Sequence, residues 1–338
     1  MQLFENHSLL PYNTFGIAAT AKYFSPVRST NELDALIREN KKSFQVPLLI
    51  LGGGSNLLFT KDFNGWVVKN ELQGIELVRE DLEYYYVKAM AGENWHELVL
   101  HCVNRNYAGL ENLSLIPGKV GASPMQNIGA YGVEIKDVFF ELEAYHIAEQ
   151  QIVRFGAAEC EFGYRESVFK RALKNQYIIL SVTFRLRKVP VFHTSYGAIE
   201  KELEAMQVDS LSIKTISDAV IRIRNSKLPD PQKIGNAGSF FKNPVIAAEQ
   251  YMQLQERFSN IPGYANAATV KVPAAWLIEQ CGWKGYRSGD AGCYNQQPLV
   301  LVNYGTATGT EIFDLSTRII QSVQEKFGIL LEREVNII

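Results

Sequence analysis

The sequence predicts an α+β or mixed α/β protein with at least two domains. Strands and helices interleave along the chain without the even strand–helix–strand alternation of a doubly wound sheet. The chain has 338 residues, more than one hydrophobic core usually supports, and its 46% hydrophobic and 21% charged residues are typical of a globular protein. The residue pattern changes near Leu211, from strand-rich to helix-rich, so we predict a domain boundary there.

The first part of the chain, up to about residue 210, is predicted to contain two helices and several strands. Ser29 and Glu32 form a capping box, and the apolar residues that follow recur at helical spacing, so a helix should begin there. A second helix is predicted over residues 93–105, where apolar residues share one face. Strands are predicted over residues 47–51, 84–91 and 177–186.

The second part, from about residue 211, is predicted to mix helices and strands. One helix should start near Ile213 and end before Lys227. Pro244 suits the first turn of another helix, and Thr308 with Glu311 forms the capping box of a long helix that ends near residue 327. A helix over residues 273–281, a strand over 298–303 and a final strand over 329–337 complete the prediction.

Charge, cysteines and histidines exclude several classes of protein. A net charge of −2 without a long basic run argues against nucleic-acid binding. The sequence shows neither a signal peptide nor an apolar stretch of membrane-spanning length, so we expect a cytoplasmic protein that does not bind membranes. The four cysteines are scattered and should be reduced thiols, and the spacing of His96 and His101 does not suit a metal site, so no metal is expected.

A first glycine-rich segment, residues 52–56, follows a predicted strand. The Rossmann fingerprint fails here, because Leu57 takes the place of the third glycine and no helix is predicted to follow. Backbone N–H groups of such a segment can close on a phosphate. Taken alone, the segment is more commonly a sharp connection between two strands.

A second glycine-rich segment, residues 112–134, favours the ligand-binding interpretation. It contains four glycines, two prolines and almost no charged residues, and it lacks helical or strand periodicity. Glycine permits close approach of backbone to a ligand, so we expect this segment to pack around a large flat molecule. Ser123, Gln126 and Asn127 could supply hydrogen bonds. Two such segments in one chain favour an extended cofactor such as FAD.

Several separated motifs occur in the order that one known family shows. The most distinctive are YRES at residues 164–167 and GSFFKNP at residues 238–244. On these and the remaining motifs the chain resembles the UDP-N-acetylenolpyruvoylglucosamine reductase family, in the subgroup that carries an inserted tyrosine loop. The remaining motifs lie at residues 13–16, 52–56, 112–134, 227–229 and 331–335.

The resemblance implies three regions, an FAD cofactor and two nucleotide substrates. Residues 1–70, completed by a C-terminal strand within 326–338, and residues 71–210 would hold FAD in a fold shared with vanillyl-alcohol-oxidase-type flavoproteins. Residues 211–325 would form a smaller α+β domain for a UDP-sugar. FAD should be non-covalent, because neither glycine-rich segment contains histidine or cysteine. The substrates would be NADPH and the enolpyruvyl ether of UDP-N-acetylglucosamine, and the protein would act as a monomer.

Three residues are expected to act in the implied reaction, in which NADPH reduces the flavin and the substrate then receives a hydride and a proton. Arg165 would hold the substrate carboxylate through paired hydrogen bonds, Ser239 would donate the proton, and Glu334 would stabilise developing charge. Without the resemblance, a surface pair of Arg165 with Glu161 or Glu166, a hydrogen-bonded turn serine and a solvated strand face are the commoner explanations.

Ligand contacts are also carried over from the family, residue by residue. Gln296 is an alternative to Gln297, and Arg224 could touch either the flavin or the substrate. Substrate contacts are expected at Tyr164, Tyr196, Lys227, Asn243 and Gln297. Cofactor contacts are expected at Gly52, Gly53, Gly54, Ser55, Asn56, Pro117, Gly118, Gly121, Ser123, Asn127, Ile128, Gly129 and Arg224.

Two other functions would each account for part of the sequence. An FAD oxidase that acts on a sugar or alcohol would share the first two regions, but it does not account for residues 227–229 and 238–244. A UDP-sugar-binding regulator without chemistry does not account for the joint presence of Arg165, Ser239 and Glu334. The reductase is the interpretation that uses all of the motifs.

Overall fold

A computed structural model describes residues 2–196 and 198–338, which form two compact units. The first unit comprises the segment up to His7, Ala21–Gly53 and Asn64–Ser226. The second unit comprises Ser8–Thr20, Gly54–Phe63 and Lys227–Ile338.

Helices and strands follow one another without regular alternation, which confirms the predicted α+β class. The α-helices are Thr30–Glu39 (α1), Trp95–Asn104 (α2), Ala157–Cys160 (α3), Ile199–Ala205 (α4), Ile213–Lys227 (α5), Ala248–Arg257 (α6), Ala274–Gln280 (α7) and Gly309–Phe327 (α8). The strands are Phe4–Ser8 (β1), Thr20–Val27 (β2), Leu48–Leu51 (β3), Leu57–Leu58 (β4), Phe63–Asn70 (β5), Ile75–Glu80 (β6), Tyr84–Met90 (β7), Gly129–Ala130 (β8), Val133–Glu134 (β9), Phe139–His146 (β10), Gln151–Gly156 (β11), Tyr177–Arg187 (β12), Gly235–Ser239 (β13), Val245–Ala247 (β14), Tyr264–Asn266 (β15), Thr269–Lys271 (β16), Arg287–Ser288 (β17), Ala291–Cys293 (β18), Val300–Asn303 (β19) and Asn336–Ile337 (β20).

The first unit contains a four-stranded sheet in the order β1-β2-β5-β3, in which β3 runs parallel to β5. The apolar face of α1 lies in one cluster with Trp66 and Val68 of β5. The helix begins where predicted, because the Ser29 hydroxyl accepts a hydrogen bond from the Glu32 N–H at 3.2 Å. The other half of the predicted capping box does not form, since the Glu32 carboxylate accepts from the Arg28 N–H. Strand β3 ends at Leu51, and the first glycine-rich segment follows directly.

A five-stranded antiparallel sheet, in the order β11-β10-β12-β7-β6, forms the rest of the first unit's framework. Its central strand β12 is buried on both faces. Ile178 and Leu180 lie in the cluster that includes α1, whereas Val182 and Phe184 lie in the larger cluster that includes α2. A strand buried on both sides appears in sequence as a continuous apolar run, so this strand was the clearest one to predict.

The second unit is built around a sheet in the order β13-β19-β18-β17, with α8 in contact with β18 and β19. The predicted capping box of α8 is confirmed: Thr308 Oγ1 accepts from the Glu311 N–H at 3.2 Å, and a Glu311 carboxylate oxygen accepts from the Thr308 N–H at 2.7 Å. The helix ends at Gly328, whose φ of 66° is the left-handed conformation that favours glycine at this position.

The prediction of a helix that begins at Pro244 is wrong. Val245–Ala247 instead form β14, which pairs with β16, and α6 begins only at Ala248. The Pro244 carbonyl accepts a hydrogen bond from the Val272 N–H at 2.9 Å, which draws the residues after the proline into this ladder. Tertiary pairing therefore overrides the local preference of proline for a first helical turn.

The compact units divide the chain differently from the predicted regions. Residues 211–226 belong to the first unit, where Ser217 Oγ lies 2.8 Å from Ser114 Oγ. The final strand, predicted over residues 329–337, is confined to β20, which pairs with β4 in parallel, and both strands belong to the second unit. The sequence pattern marks where α5 begins, whereas packing decides to which unit this helix belongs.

Candidate functional site

The two glycine-rich segments meet in the first unit. A methyl group built on Gly53 would lie 3.0 Å from Gly118 Cα, and one built on Gly52 would lie 3.4 Å from Lys119 Cβ. Lys69 Nζ donates a hydrogen bond to the Gly52 carbonyl. At Gly53 the approach is backbone against backbone, and at Gly52 it is backbone against the Lys119 side chain. A ligand cradle shared by the two segments stays a prediction. The two lysines beside it were not predicted, because nothing in the local pattern singles them out.

The second glycine-rich segment is hydrogen-bonded to the start of α2 and to the chain just before it. The Trp95 N–H donates to the Gly118 carbonyl at 3.1 Å, and the Gly121 N–H donates to the Ala91 carbonyl at 2.9 Å. A methyl group on Gly121 would lie only 2.6 Å from Ala91 Cβ, closer than carbon atoms approach in proteins. Gly121 is therefore required by packing, whether or not a ligand is bound.

Two polar residues of this segment hold its shape. The Asn127 side chain is fully buried and donates to Glu134 Oε2 at 3.0 Å and to the Gly163 carbonyl at 2.9 Å. Ser123, also buried, donates to the Val120 carbonyl at 2.8 Å. These bonds give both side chains a structural role, and direct contacts with a cofactor stay a prediction. Of the other predicted contacts in the segment, Ile128 packs on the α2 core and Pro117 is exposed.

Arg165 occupies a tight turn of the first unit. Gly163 and Glu166 form an antiparallel bridge that leaves Tyr164 and Arg165 at the tip. Arg165 has a φ of 54°, a conformation that non-glycine residues seldom adopt and that is often found at functional sites. Its Nη2 donates to the Gly129 carbonyl at 2.6 Å, and its guanidinium lies 5.4 Å from the Tyr164 ring centroid. The turn thus fixes the guanidinium against the second glycine-rich segment.

Arg224 and His96 both form hydrogen bonds with the backbone of Leu115, which lies just before the Pro-Gly pair of the second glycine-rich segment. Arg224 Nε donates to the Leu115 carbonyl at 3.2 Å, and His96 Nδ1 accepts from the Leu115 N–H at 3.0 Å. Burial lowers the pKa of both side chains, which favours the neutral imidazole that this bond requires. Burial also raises the pKa of Tyr131, whose ring meets the exposed Tyr196 edge-on at 6.5 Å. His96 was not predicted as a site residue.

The rest of the first glycine-rich segment belongs to the second unit. Gly54 has a φ of 64°, and a methyl group there would lie 2.0 Å from the Tyr12 carbonyl oxygen, so only glycine fits. Asn56 Nδ2 donates to the Glu334 carbonyl at 3.3 Å, which links this segment to the C-terminal chain. Ser55, between them, is half-buried.

Ser239 and Glu334, which are far apart in sequence, lie close together in the second unit. Ser239 ends β13 and pairs with Val300 of β19. The Glu334 N–H donates to the carbonyl of Phe240, the residue after Ser239, at 2.8 Å. Both side chains are half-buried. The structure therefore brings together two of the three predicted catalytic residues, while Arg165 belongs to the first unit.

The predicted substrate contacts of the second unit lie on three separate elements. Lys227 is exposed at the end of α5. Asn243 Oδ1 accepts from the Ala274 N–H at 2.9 Å and so fixes the start of α7. Gln297 is half-buried in the turn before β19, whereas its neighbour Gln296 is exposed.

The described residues offer no metal centre and no activated thiol. No group of three or more His, Cys, Asp or Glu side chains in residues 2–196 and 198–338 is placed to hold a metal ion. All four cysteines are free, and burial raises the pKa of Cys102, Cys160 and Cys293 to about 12. Such thiols are poor nucleophiles at neutral pH. Across the same residues, no helix is long and apolar enough to cross a membrane.

Comparison with known proteins identifies both parts of the chain. Residues 21–156 match an FAD binding domain, and residues 230–338 match the C-terminal domain of UDP-N-acetylenolpyruvoylglucosamine reductase. Enzymes of that name from Amoebophilus asiaticus and Flavobacterium johnsoniae are 54% and 50% identical to this chain, and each alignment covers all of both chains. The crystal structure of the Thermus caldophilus enzyme has the same fold, with a TM-score of 0.68 and 23% identity over 99% of this chain and 98% of its own.

An FAD-binding domain joined to this C-terminal domain defines a flavin-dependent oxidoreductase. The backbone cradle at Gly53 and Gly118, where any side chain would fill the gap, fits a flavin dinucleotide. The chain belongs to the UDP-N-acetylenolpyruvoylglucosamine reductase family, as its motifs predicted, and FAD is its cofactor.

Proposed function

We propose that the protein reduces the enolpyruvyl ether of UDP-N-acetylglucosamine to UDP-N-acetylmuramate with electrons from NADPH, in the cytoplasmic synthesis of peptidoglycan precursors. The observation that carries the proposal is the backbone bond that places Ser239 next to Glu334, because this reduction needs a proton donor and a charge-stabilising group together. The name shared by the relatives supports the substrate.

The chemistry needs three things from the protein. FAD, when bound, would supply the hydride chemistry that links NADPH to the terminal carbon of the enolpyruvyl group. Negative charge then develops on the adjacent carbon and its carboxylate. The chain must hold that carboxylate, stabilise the new charge and deliver a proton to the carbon, with water kept away.

Ser239 and Glu334 have different roles at the carbon that receives the proton. The Ser239 hydroxyl donates the proton, which it can do because a carbanion-like carbon is a strong base. Glu334 acts in its protonated form, since an ionised carboxylate would repel the developing charge, whereas a neutral carboxyl donates a hydrogen bond to it. Pairing to β19 and to the Phe240 carbonyl fixes the backbone of both residues, so little motion is needed before reaction.

Arg165 binds the substrate carboxylate. A guanidinium has five N–H donors in a planar fork that matches a carboxylate. The bond from Nη2 to the Gly129 carbonyl and the strained turn orient the group in advance, which lowers the entropy that substrate binding must remove. The expected substrate contacts at Tyr164, Tyr196, Lys227, Asn243 and Gln297 (or Gln296) would then hold the UDP-sugar, with Lys227 on a phosphate.

Absorbance spectroscopy of the purified protein tests the proposal in two steps. The oxidised flavin spectrum should bleach when NADPH is added without oxygen, and it should return when the enolpyruvyl ether is added. UDP-N-acetylglucosamine, which lacks the double bond, is the matched control and should leave the flavin reduced. A spectrum that oxygen restores but the enolpyruvyl ether does not would favour a sugar or alcohol oxidase, and a colourless protein that takes up no FAD would contradict any flavoenzyme.

A further inference from the structure

Two lysines lie against the first glycine-rich segment within the first unit. Lys69 sits on β5 opposite Leu51, the last residue of β3, and its Nζ donates to the carbonyl of the next residue, Gly52. Lys119 follows Gly118 and packs its side-chain stem on Gly52, with Cβ and Cγ at 3.4 and 3.5 Å from a methyl group built there. One glycine thus contacts two lysine side chains from different elements.

Neither lysine has a carboxylate partner within the described part of the chain. The carboxylate whose charge acts on Lys69, that of Glu71, is itself bound by Arg28 at 2.9 Å. Burial first, and then the positive charge of Lys119, lower the pKa of Lys69, which lies at about 8. Two cations placed together in a half-buried position destabilise each other unless an anion offsets them.

We propose that Lys69 and Lys119 form a cation pair that holds the diphosphate of FAD over the Gly52–Gly53 and Gly118 cradle. The diphosphate is the anionic part of FAD, and the backbone of a glycine-rich turn can bind it through N–H groups alone. The lysine pair adds charge to that backbone site. It makes cofactor retention in this chain dependent on pH, and more dependent on salt than backbone contacts alone would make it.

The rate of FAD release from the holoprotein, followed by flavin fluorescence, tests the proposal. Lys69→Gln and Lys119→Gln each remove one charge and keep a polar side chain, and each should speed release roughly 10-fold or more, the usual effect of losing a hydrogen bond to a charged group. Lys119→Arg, which keeps the charge, and Lys42→Gln, at an exposed lysine of the same unit, should release FAD like the wild type. Added salt should accelerate release from the wild type more than from the double variant.

The pH dependence of release gives a second readout that a purely structural role would not produce. The bound diphosphate raises the pKa of Lys69, so its contribution is present at low pH and is lost as pH rises through that pKa. Release from the wild type should therefore accelerate as the pH rises above about 8, the pKa of Lys69 without the diphosphate. Lys69→Gln should show no such acceleration, because the other charges that face the site, Lys119 and Glu71, are unchanged in this variant.

Release rates for Lys69→Gln and Lys119→Gln equal to that of Lys42→Gln, with an unchanged salt response, would overturn the proposal. Should Lys69→Gln fail to fold, Lys119→Gln decides alone, because its side chain makes no hydrogen bond to the cradle. The assay contains neither NADPH nor sugar nucleotide. A negative result therefore leaves the proposed reaction standing, and a different substrate would leave the lysine pair standing.

Discussion

Alanine in place of Gly53 should loosen the cradle that the two glycine-rich segments form. The new methyl carbon would lie 3.0 Å from Gly118 Cα and 3.4 Å from its carbonyl carbon, whereas carbon atoms pack at about 3.5–4.0 Å. Because the opposing atoms are backbone, the segments themselves must move apart by a few tenths of an ångström. Overpacking of this kind costs about 1–3 kcal/mol. When the whole of this free-energy cost weakens cofactor binding, the Kd for FAD rises about 5- to 150-fold.

Gly156→Ala is the matched control for this substitution. Gly156 belongs to the same unit, has a φ of −81° that alanine adopts without strain, and would place its methyl group 3.5 Å from a flexible Glu159 carboxylate oxygen. FAD release and thermal unfolding of both variants are measured side by side. Gly53→Ala should lose FAD faster, while Gly156→Ala changes stability by about 1 kcal/mol or less. Wild-type FAD retention in Gly53→Ala would show that the segments do not form the cradle.

Three further predictions concern the proposed chemistry. Ser239→Ala should leave flavin reduction by NADPH nearly intact and slow reoxidation by the substrate by a factor on the order of 10²–10⁴; stopped-flow traces with both halves slowed equally would contradict the proton-donor role. Lys227→Ala should raise KM for the UDP-sugar far more than it lowers kcat, since a remote phosphate contact gives uniform binding, and steady-state kinetics with the opposite result would make Lys227 catalytic. Glu334→Gln, which keeps a hydrogen-bond donor at the same reach, should retain more of the substrate half-reaction than Glu334→Asp; an active Asp variant beside an inactive Gln variant would mean that an ionisable acid is required.

Most elements of the fold could be predicted from the sequence because their signals are local. The capping boxes at Ser29 and Thr308 and the apolar run of β12 each specify an element within a few residues. The strand β14 after Pro244 could not be predicted, because its partner β16 follows more than twenty residues later along the chain. The contacts of α5 with the first unit could not be predicted either. The pattern near Leu211 indicates where a helix starts, but it does not indicate which residues the helix packs against.

In the candidate site, too, local signals identify residues, whereas their positions relative to one another depend on distant parts of the chain. Motifs identify Ser239 and Glu334, but only the bond from the Glu334 N–H to the Phe240 carbonyl places them together. Lys69 shows the limit most clearly. On β5 it follows three consecutive buried apolar residues, at positions 66–68, so alternation along the strand does not indicate which face the lysine occupies. The parallel register sets it opposite Leu51, where β3 stops, so the next carbonyl of that chain lies over the lysine. A one-residue shift in register would turn the neighbouring side chains of β5 to opposite faces and separate the lysine from the glycine loop. The charge beside the cofactor cradle is therefore a property of strand register, which no local pattern in the sequence encodes.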